Sequence, residues 1–290
     1  MNDFKIALIQ TTSDLDLRET ESRTVRFIEE AAAKGARVIC LQELFQHPYF
    51  CREQDPQFFD LAETIPGKTT HRFSEVVKRL EVFLVLPLFE KVNDTVFYNS
   101  VVVLNPKGEI VSHYRKMHIP QDPGFEEKFF FSPGDLDWPV FDTPYGKMGV
   151  LVCWDQWYPE AARLMALKGA KVIFFPTAIG KLHEESEELA IQQHQAWETV
   201  QRGHGVANGC YIAACNRVGT EGNLTFWGQS FVSGPYGSII ARASHDAAEV
   251  LVVDLDSSEQ EEFRRIWPFF RDRRVDAYGD ILKRVIESDD

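Results

Sequence analysis

Five cysteines in 290 residues, at positions 40, 51, 153, 210 and 215, form no Cys-x-x-Cys pair and no clustered Cys/His spacing. That argues against both a disulfide framework and a zinc site. Basic residues are also in short supply: 31 Lys and Arg stand against 44 Asp and Glu, a net charge of −13. Nucleic acid and anionic membrane both demand a basic surface, so neither is an expected partner. No apolar run approaches the roughly 18 residues of a membrane helix, since VFYNSVVVLN and GVLVCW are short and interrupted. The opening MNDFKIALIQ lacks a basic stretch, a long apolar core and a small-residue cleavage site, and so does not read as a secretory signal. A cytoplasmic protein is the expectation. No Pro/Gly/Ser-rich linker or charge run divides the chain, which predicts a single domain over residues 1–290.

What is present is α/β grammar, in which short apolar or β-branched runs alternate with amphipathic helical segments. Strands are expected at Lys5–Gln10, Ala36–Glu43, Val82–Glu90, 96–105 and 109–115, the last two forming a hairpin through the Asn105–Gly108 turn. The second half supplies 146–154, 170–176, 210–218, 225–233, 238–244 and 249–256. Helices are expected at Leu17–Ala33, with Gly35 placed to end it, and at His71–Leu80, Pro159–Lys168, Leu189–Asn208 and Ser257–Ile266. Two halves of similar order suggest two sheets packed face to face with helices outside.

Three residues stand where apolar runs stop. Cys153 ends GVLVC, a strand-to-helix junction at which a thiol is presented at a sheet edge with the Trp154 N–H nearby. Taken alone it is more often a core cysteine, the reading adopted for Cys40, Cys210 and Cys215; Cys51 reads as a loop thiol. Glu43 ends VICLQE. A thiol is mostly protonated at neutral pH and needs a neighbouring base, and none of the eight histidines stands in a Cys-His setting, so a carboxylate is a candidate for that role. Lys116, in HYRKMHIP, reads as an exposed lysine unless it lies beside the thiolate, where it would stabilise an oxyanion. His118 is read as a loop hydrogen-bonder. Of Glu126 and Glu127, ahead of the FFF run, one is expected in solvent and the other near Lys116. The 184–188 acids read as a helix start, and Trp197, Trp227 and Trp267 as core or interface.

Together LQELF, YRKMHIP and VCWDQWYPEAAR, in that order, resemble the nitrilase or carbon–nitrogen hydrolase superfamily, and FFPTAIG, NRVG and WPFFRDRRVDAYGD extend the resemblance over nearly the whole chain. The resemblance implies a four-layer α-β-β-α sandwich, no metal or organic cofactor, and a homo-oligomer built from dimers; the aromatic tail from about 265 to 290, with WPFF, is itself expected as a subunit contact because buried aromatics contribute large contact areas. It implies Cys153 as nucleophile, Glu43 as general base, Lys116 as oxyanion stabiliser and Glu127 as a second, supporting glutamate. The segments 122–135 and 153–163 are most similar to members acting on a carbamoylated diamine of the N-carbamoylputrescine type. The expected substrate therefore carries a carbamoyl group and a free amine, with a carbamoyl amino acid, an aliphatic amide or a nitrile as alternatives and an inactive scaffold as the non-enzymatic one. Expected substrate contacts are Trp154, Thr177, Ala178 and Glu184. Glu184 or its neighbour Glu185 is asked to replace an acid that the family carries after TAIG, where this chain has Lys181 and Leu182.

Overall fold

The computed structural model describes residues 4–286. Numbered along the chain, the first sheet holds β1 (Phe4–Gln10), β2 (Ala36–Leu41), β3 (Phe83–Lys91), β4 (Phe97–Leu104), β5 (Ile110–Arg115) and the late strand β15 (Glu249–Leu255), in the order β15-β1-β2-β3-β4-β5. The second holds β6 (Val140–Thr143), β7 (Gly146–Val150), β8 (Val172–Pro176), β10 (Tyr211–Cys215), β13 (Phe231–Ser233) and β14 (Ile239–Arg242), in the order β14-β13-β10-β8-β7-β6. A small third sheet joins β9 (Gly180–Leu182), β11 (Val218–Glu221) and β12 (Leu224–Trp227).

Both six-stranded sheets follow one plan. Three parallel strands, β1-β2-β3 in one and β7-β8-β10 in the other, are flanked by antiparallel strands on each side. Their side chains sort by the two-residue period of a strand. Ile6, Leu8, Val38, Cys40 and Val85 join the cluster containing Val172, Phe174 and Ile212 of the opposite sheet. The alternate residues Ala7, Ile9, Ile39, Leu41 and Leu84 pack instead under Ile28 and Ala31 of α1 (Leu17–Ala33) and Phe73, Val76 and Val77 of α2 (Lys68–Leu80). Beyond a single turn α3 (Glu127–Phe130), helices α4 (Pro159–Leu167) and α5 (Glu187–Asn208) cover the second sheet. The result is a four-layer α-β-β-α sandwich.

Helix ends follow their residues. Asp16 accepts from the Arg18 N–H at the start of α1, and Gly35, at φ +92°, lets the chain turn back after it. Ser186 caps α5 and Gly209, in the left-handed region, ends it. The last helix, α6 (Ser257–Ile266), is fixed by Gln260 and Arg264, which both donate to the Gly209 carbonyl.

Several sequence expectations need correction. The run 210–218 is two strands in different sheets, β10 and β11, because Asn216 and Arg217 turn their polar groups to loop carbonyls. The run 225–233 likewise breaks into β12 and β13 at Gly228-Gln229-Ser230, where Gly228 and Gln229 have positive φ. β7 stops at Val150, and α2 starts at Lys68 behind a cis Ile65–Pro66 bond. β6 and β9, too short for a periodicity, were not anticipated. Cys51 is buried in a short helical turn rather than lying free in a loop. Four residues of the aromatic tail, 287–290, lie outside the described residues; in the rest, Trp267, Phe269, Tyr278, Ile281 and Leu282 are exposed.

One buried ion pair in this frame reports on acid. Glu90 of β3 accepts from Arg115 at 2.6 and 2.9 Å, from Ser100 at 2.5 Å, and lies 3.2 Å from His113. Burial pushes its pKa up, but these partners outweigh burial and bring it down to about 2. A carboxylate depressed in the folded state stabilises above its unfolded value of 4.5 and loses that contribution as pH falls toward 2. The expected loss is about 3 kcal/mol, and urea unfolding from pH 6 to pH 2.5 should show Glu90→Gln less stable at neutrality with a shallower acid dependence.

Candidate active site

The carboxyl ends of parallel strands in both sheets deliver side chains to one region. Glu43 lies two residues past β2. Just before it, the buried Gln42 side chain exchanges hydrogen bonds with the Thr11 backbone, donating and accepting at 2.9 Å and so continuing the β1–β2 pairing. Just after it, Leu44 has φ +47°, a costly conformation for a branched side chain that turns the chain sharply. Lys116 follows β5. Its N–H donates to the Asn99 carbonyl of β4 and its own carbonyl accepts from Gly134, both at 2.8 Å. Only glycine fits at 134, because a Cβ there would meet the Arg115 carbonyl oxygen at 2.1 Å.

Glu43, Lys116 and Glu127 are all fully buried. The Lys116 Nζ donates to Glu43 Oε1 at 2.8 Å and to Glu127 Oε2 at 2.6 Å. Asn99 Nδ2 donates to the same Glu43 oxygen at 2.7 Å, and the Tyr49 hydroxyl donates to Glu127 Oε1 at 2.7 Å. Glu43 Oε2 is left with no hydrogen-bond partner among the protein groups. Burial alone would drive the lysine toward neutrality, but Glu127 and Glu43 outweigh it and hold the pKa well above the ordinary value, so Lys116 is an ammonium. Burial raises Glu127, an effect Lys116 opposes and Glu43 reinforces.

Cys153 begins a short helical turn, Cys153–Trp157, with φ +41°. The first hydrogen bond inside the turn is Asp155 N–H to the Val152 carbonyl, so the N–H groups of Cys153 and Trp154 precede it and are the orphan donors of a helix start. The thiol is 4% exposed, with Sγ 3.9 Å from the Ala178 carbonyl oxygen. Burial raises its pKa well above the ordinary value, the nearby Glu43 carboxylate raises it further, and Lys116 pulls it down. The sulfur therefore shares the electrostatic environment of both.

Residues the sequence did not single out hold this arrangement. Asp155, fully buried, accepts from the Tyr114 hydroxyl and Val152 N–H through Oδ2, and from the His118 N–H through Oδ1, which also lies 2.7 Å from His118 Nδ1. It clamps the loop of Lys116 to the turn of Cys153. Arg217, also fully buried, reaches from the second sheet to the carbonyls of Glu43, Leu44 and His47, and pairs with Glu221 at 2.8 Å. It fixes the turn that carries Glu43. A signal for Arg217 was available: a charge closing the apolar run CYIAAC, the pattern that drew notice to Glu43. Asn99 likewise interrupts the apolar FYNSVVVL. Tyr49 left no such trace.

A cleft of about 420 Å³ opens over Cys153, lined by Trp154, Trp157, Ala178, Leu182, Glu185 and Trp227, with Asp122 and Phe125 on the facing loop. Of the residues expected to contact substrate, Trp154 and Ala178 are in the cleft wall. Thr177 is not: its hydroxyl turns into the protein, 3.0 Å from the Phe175 carbonyl and 3.4 Å from Gln156. Nor is Glu184, which is exposed and outside the cleft wall, because the turn after β9 brings its neighbour Glu185 inward. Trp227, read as core or interface, lines the cleft, while Trp197 is core. Glu126 takes donors from Gln54 and Gln121 away from Lys116. Among the described residues no group of three His, Cys, Asp or Glu is placed to hold a metal ion, and no helix is long and apolar enough to cross a membrane.

Comparison with known proteins decides the family. The carbon–nitrogen hydrolase family matches residues 5–265. The chain belongs to that family. This hydrolase is 40% identical to the N-carbamoylputrescine amidase of Solanum lycopersicum, over 96% of this chain and 94% of the relative. It is 36% identical to a citrullinase of Francisella tularensis, over 98% and 100%. A crystal structure of a carbon–nitrogen hydrolase from Helicobacter pylori superposes with a TM-score of 0.95 at 45% identity, covering 98% of this chain and all of the other. The protein is an enzyme that hydrolyses carbon–nitrogen bonds.

The opposing effects of Glu43 and Lys116 on the thiol of this hydrolase predict its reactivity. Glu43→Gln removes a charge that raises the Cys153 pKa, so alkylation should begin at lower pH than in the native enzyme. Lys116→Met removes one that lowers it, so alkylation should need higher pH. Iodoacetamide labelling of the Cys153 peptide, followed by mass spectrometry from pH 6 to pH 11, should order the three proteins in that way.

Proposed function

We propose that this hydrolase cleaves N-carbamoylputrescine to putrescine, carbon dioxide and ammonia through a carbamoyl thioester on Cys153. The observation that carries the reading is the convergence of one buried ammonium with two buried carboxylates beside a thiol at the floor of an open cleft. The printed activities of its relatives supply the substrate, since the amidase and the citrullinase are both named for carbamoylated amines.

In this mechanism Glu43 takes the thiol proton as Cys153 Sγ attacks the carbamoyl carbon. The free oxygen of Glu43, Oε2, is the one available for that proton. Negative charge then develops on the carbamoyl oxygen, where Lys116 and the Trp154 N–H receive it. Collapse of the tetrahedral adduct breaks the bond to the diamine nitrogen, and Glu43 returns its proton to the leaving amine. A water molecule, deprotonated in turn by Glu43, attacks the thioester and expels the sulfur, which recovers a proton. The product carbamate breaks down to carbon dioxide and ammonia. Glu127, held by Tyr49, keeps Lys116 in place through both halves, and one base serves each half because the covalent intermediate separates them. Residues 1–290 act as one catalytic domain in a cytoplasmic enzyme of polyamine biosynthesis, needing no cofactor. Its exposed aromatic tail serves as a subunit contact in a homo-oligomer built from dimers.

Mass spectrometry of enzyme quenched during turnover of N-carbamoylputrescine should find a carbamoyl increment on the Cys153 peptide. Cys153→Ala should fold and have no turnover, and Lys116→Met should lose about 10²- to 10³-fold or more in kcat. Full turnover by folded Cys153→Ala would refute the scheme. A panel of N-carbamoylputrescine, citrulline, a simple aliphatic amide and a nitrile, scored by ammonia release, should rank the first highest.

A further inference from the structure

We propose a further activity at the same site: the Cys153 thiol adds to isocyanic acid, the neutral form of cyanate, and the product is hydrolysed to carbon dioxide and ammonia. The proposal rests on the carbamoyl thioester of the mechanism above and adds a second way into it.

The reacting groups lie beneath the cleft rather than around it. Glu43 and Lys116 are fully buried and the Cys153 thiol is 4% exposed, and of the three only Cys153 lines the cleft. Only the head of a substrate reaches them. For a carbamoylated amine that head is a carbon bearing one oxygen and two nitrogens. Isocyanic acid is the same carbon with one oxygen and one nitrogen, lacking the amine that would leave. The groups that act on the head are the thiol, Glu43 Oε2, the Lys116 ammonium and the Trp154 N–H, and none of them depends on an attached amine.

The chemistry balances with water as the only other reactant. As Sγ bonds to the carbon, the carbon–nitrogen double bond becomes single. The thiol proton passes to that nitrogen by way of Glu43 Oε2, which no protein group occupies. Charge that builds on the oxygen meets the Trp154 N–H and the Lys116 ammonium, which Glu43 and Glu127 hold at 2.8 and 2.6 Å. The product is an S-carbamoyl cysteine, the thioester already assigned to a carbamoylated amine. Water, deprotonated by Glu43, then attacks the carbonyl and expels the sulfur, which recovers its proton. The carbamic acid released breaks down, so that one isocyanic acid and one water give one carbon dioxide and one ammonia. Addition has no amide resonance to overcome and no leaving group to protonate, so it asks less of the site than cleavage does.

Charge decides which form enters. Besides the thiol, the ionisable side chains among the described residues of the cleft wall are Asp122 and Glu185, with no Lys, Arg or His. Much of the remainder is ring carbon from Phe125, Trp154, Trp157 and Trp227. A cyanate ion would pass two carboxylates and lose its water in apolar surroundings, whereas the neutral acid meets neither obstacle. Burial keeps the thiol protonated as well, so the two reactants meet without bringing net charge into the site.

The test gives native enzyme carbon-13 cyanate and, separately, N-carbamoyl-1,4-diaminobutane. Ammonia release from cyanate should exceed that of Cys153→Ala by about 10²-fold or more, the scale of one positioned acid–base group. Native enzyme alkylated at Cys153 should be equally inactive, a control that does not depend on how the variant folds. Enzyme quenched during turnover should carry the same carbamoyl increment on the Cys153 peptide from either substrate. The ratio of kcat/KM for total cyanate to that for the carbamoyl diamine cancels the enzyme's own ionisations, and should fall about tenfold per pH unit from pH 6 to pH 8 as the neutral acid becomes scarcer. A constant ratio would overturn entry of the neutral form. Permanent carbamoylation of Cys153 without turnover would overturn the activity, as would equal ammonia release from the alkylated enzyme. Turnover of the carbamoyl diamine with none of cyanate removes this inference and leaves the mechanism standing. Turnover of cyanate alone upholds it and removes only the diamine as substrate.

Discussion

A single ammonium, buried with no access to water, organises the centre of this protein. Lys116 lies between Glu43 and Glu127 at 2.8 and 2.6 Å, and all three side chains are fully covered. Taking such ions out of water costs several kcal/mol each, and apolar replacements of similar volume often leave a fold as stable or more so. Stability is therefore a poor reason for the trio to exist. What it supplies is fixed charge in a low-dielectric place, where electrostatic effects on a reacting group are largest and need no reorganisation during the reaction. Two carboxyl groups flank one ammonium there, beside a thiol that burial keeps protonated.

Holding that trio beside Cys153 is the task of the sandwich. Glu43 comes from the first sheet and Cys153 from the second, and the contacts that set their separation run between the sheets. Arg217 spans from the end of β10 to three carbonyls around Glu43, while Asp155 binds the Cys153 turn to the Lys116 loop. Both turns that present Glu43 and Cys153 have a residue at positive φ, Leu44 and Cys153. Strain of this kind, of order 1–3 kcal/mol per residue, persists only where the surroundings over-determine the backbone, and Arg217 and Asp155 are those surroundings.

The fold was largely readable, because strands buried on both faces write continuous apolar runs and the helices between them write a 3.6-residue period. Where reading failed, polar residues inside apolar runs were the cause. Asn216-Arg217 and Gly228-Gln229-Ser230 each divide what looks like one strand into two that belong to different sheets. Apolar patterning does not distinguish a strand that continues from one that leaves its sheet. The same limit leaves unread the direction of Thr177, whose hydroxyl lies against a backbone carbonyl and Gln156. It also favoured Glu184 over Glu185, since a run of acids gives no phase from which to tell which one turns inward.

The sequence by itself determined the alternation of elements, the absence of a disulfide framework, and the three strand ends at which Glu43, Lys116 and Cys153 stand. These are local properties, carried by periodicity and by abrupt changes from apolar to polar residues. Tertiary structure alone decided the company they keep: Asn99 and Tyr49 on the carboxylates, Asp155 and Arg217 behind the turns, Trp227 and Glu185 in the cleft wall. Those relations join residues up to 174 positions apart. They depend on how two sheets stack and which way each loop turns, and no pattern along a single strand contains that information.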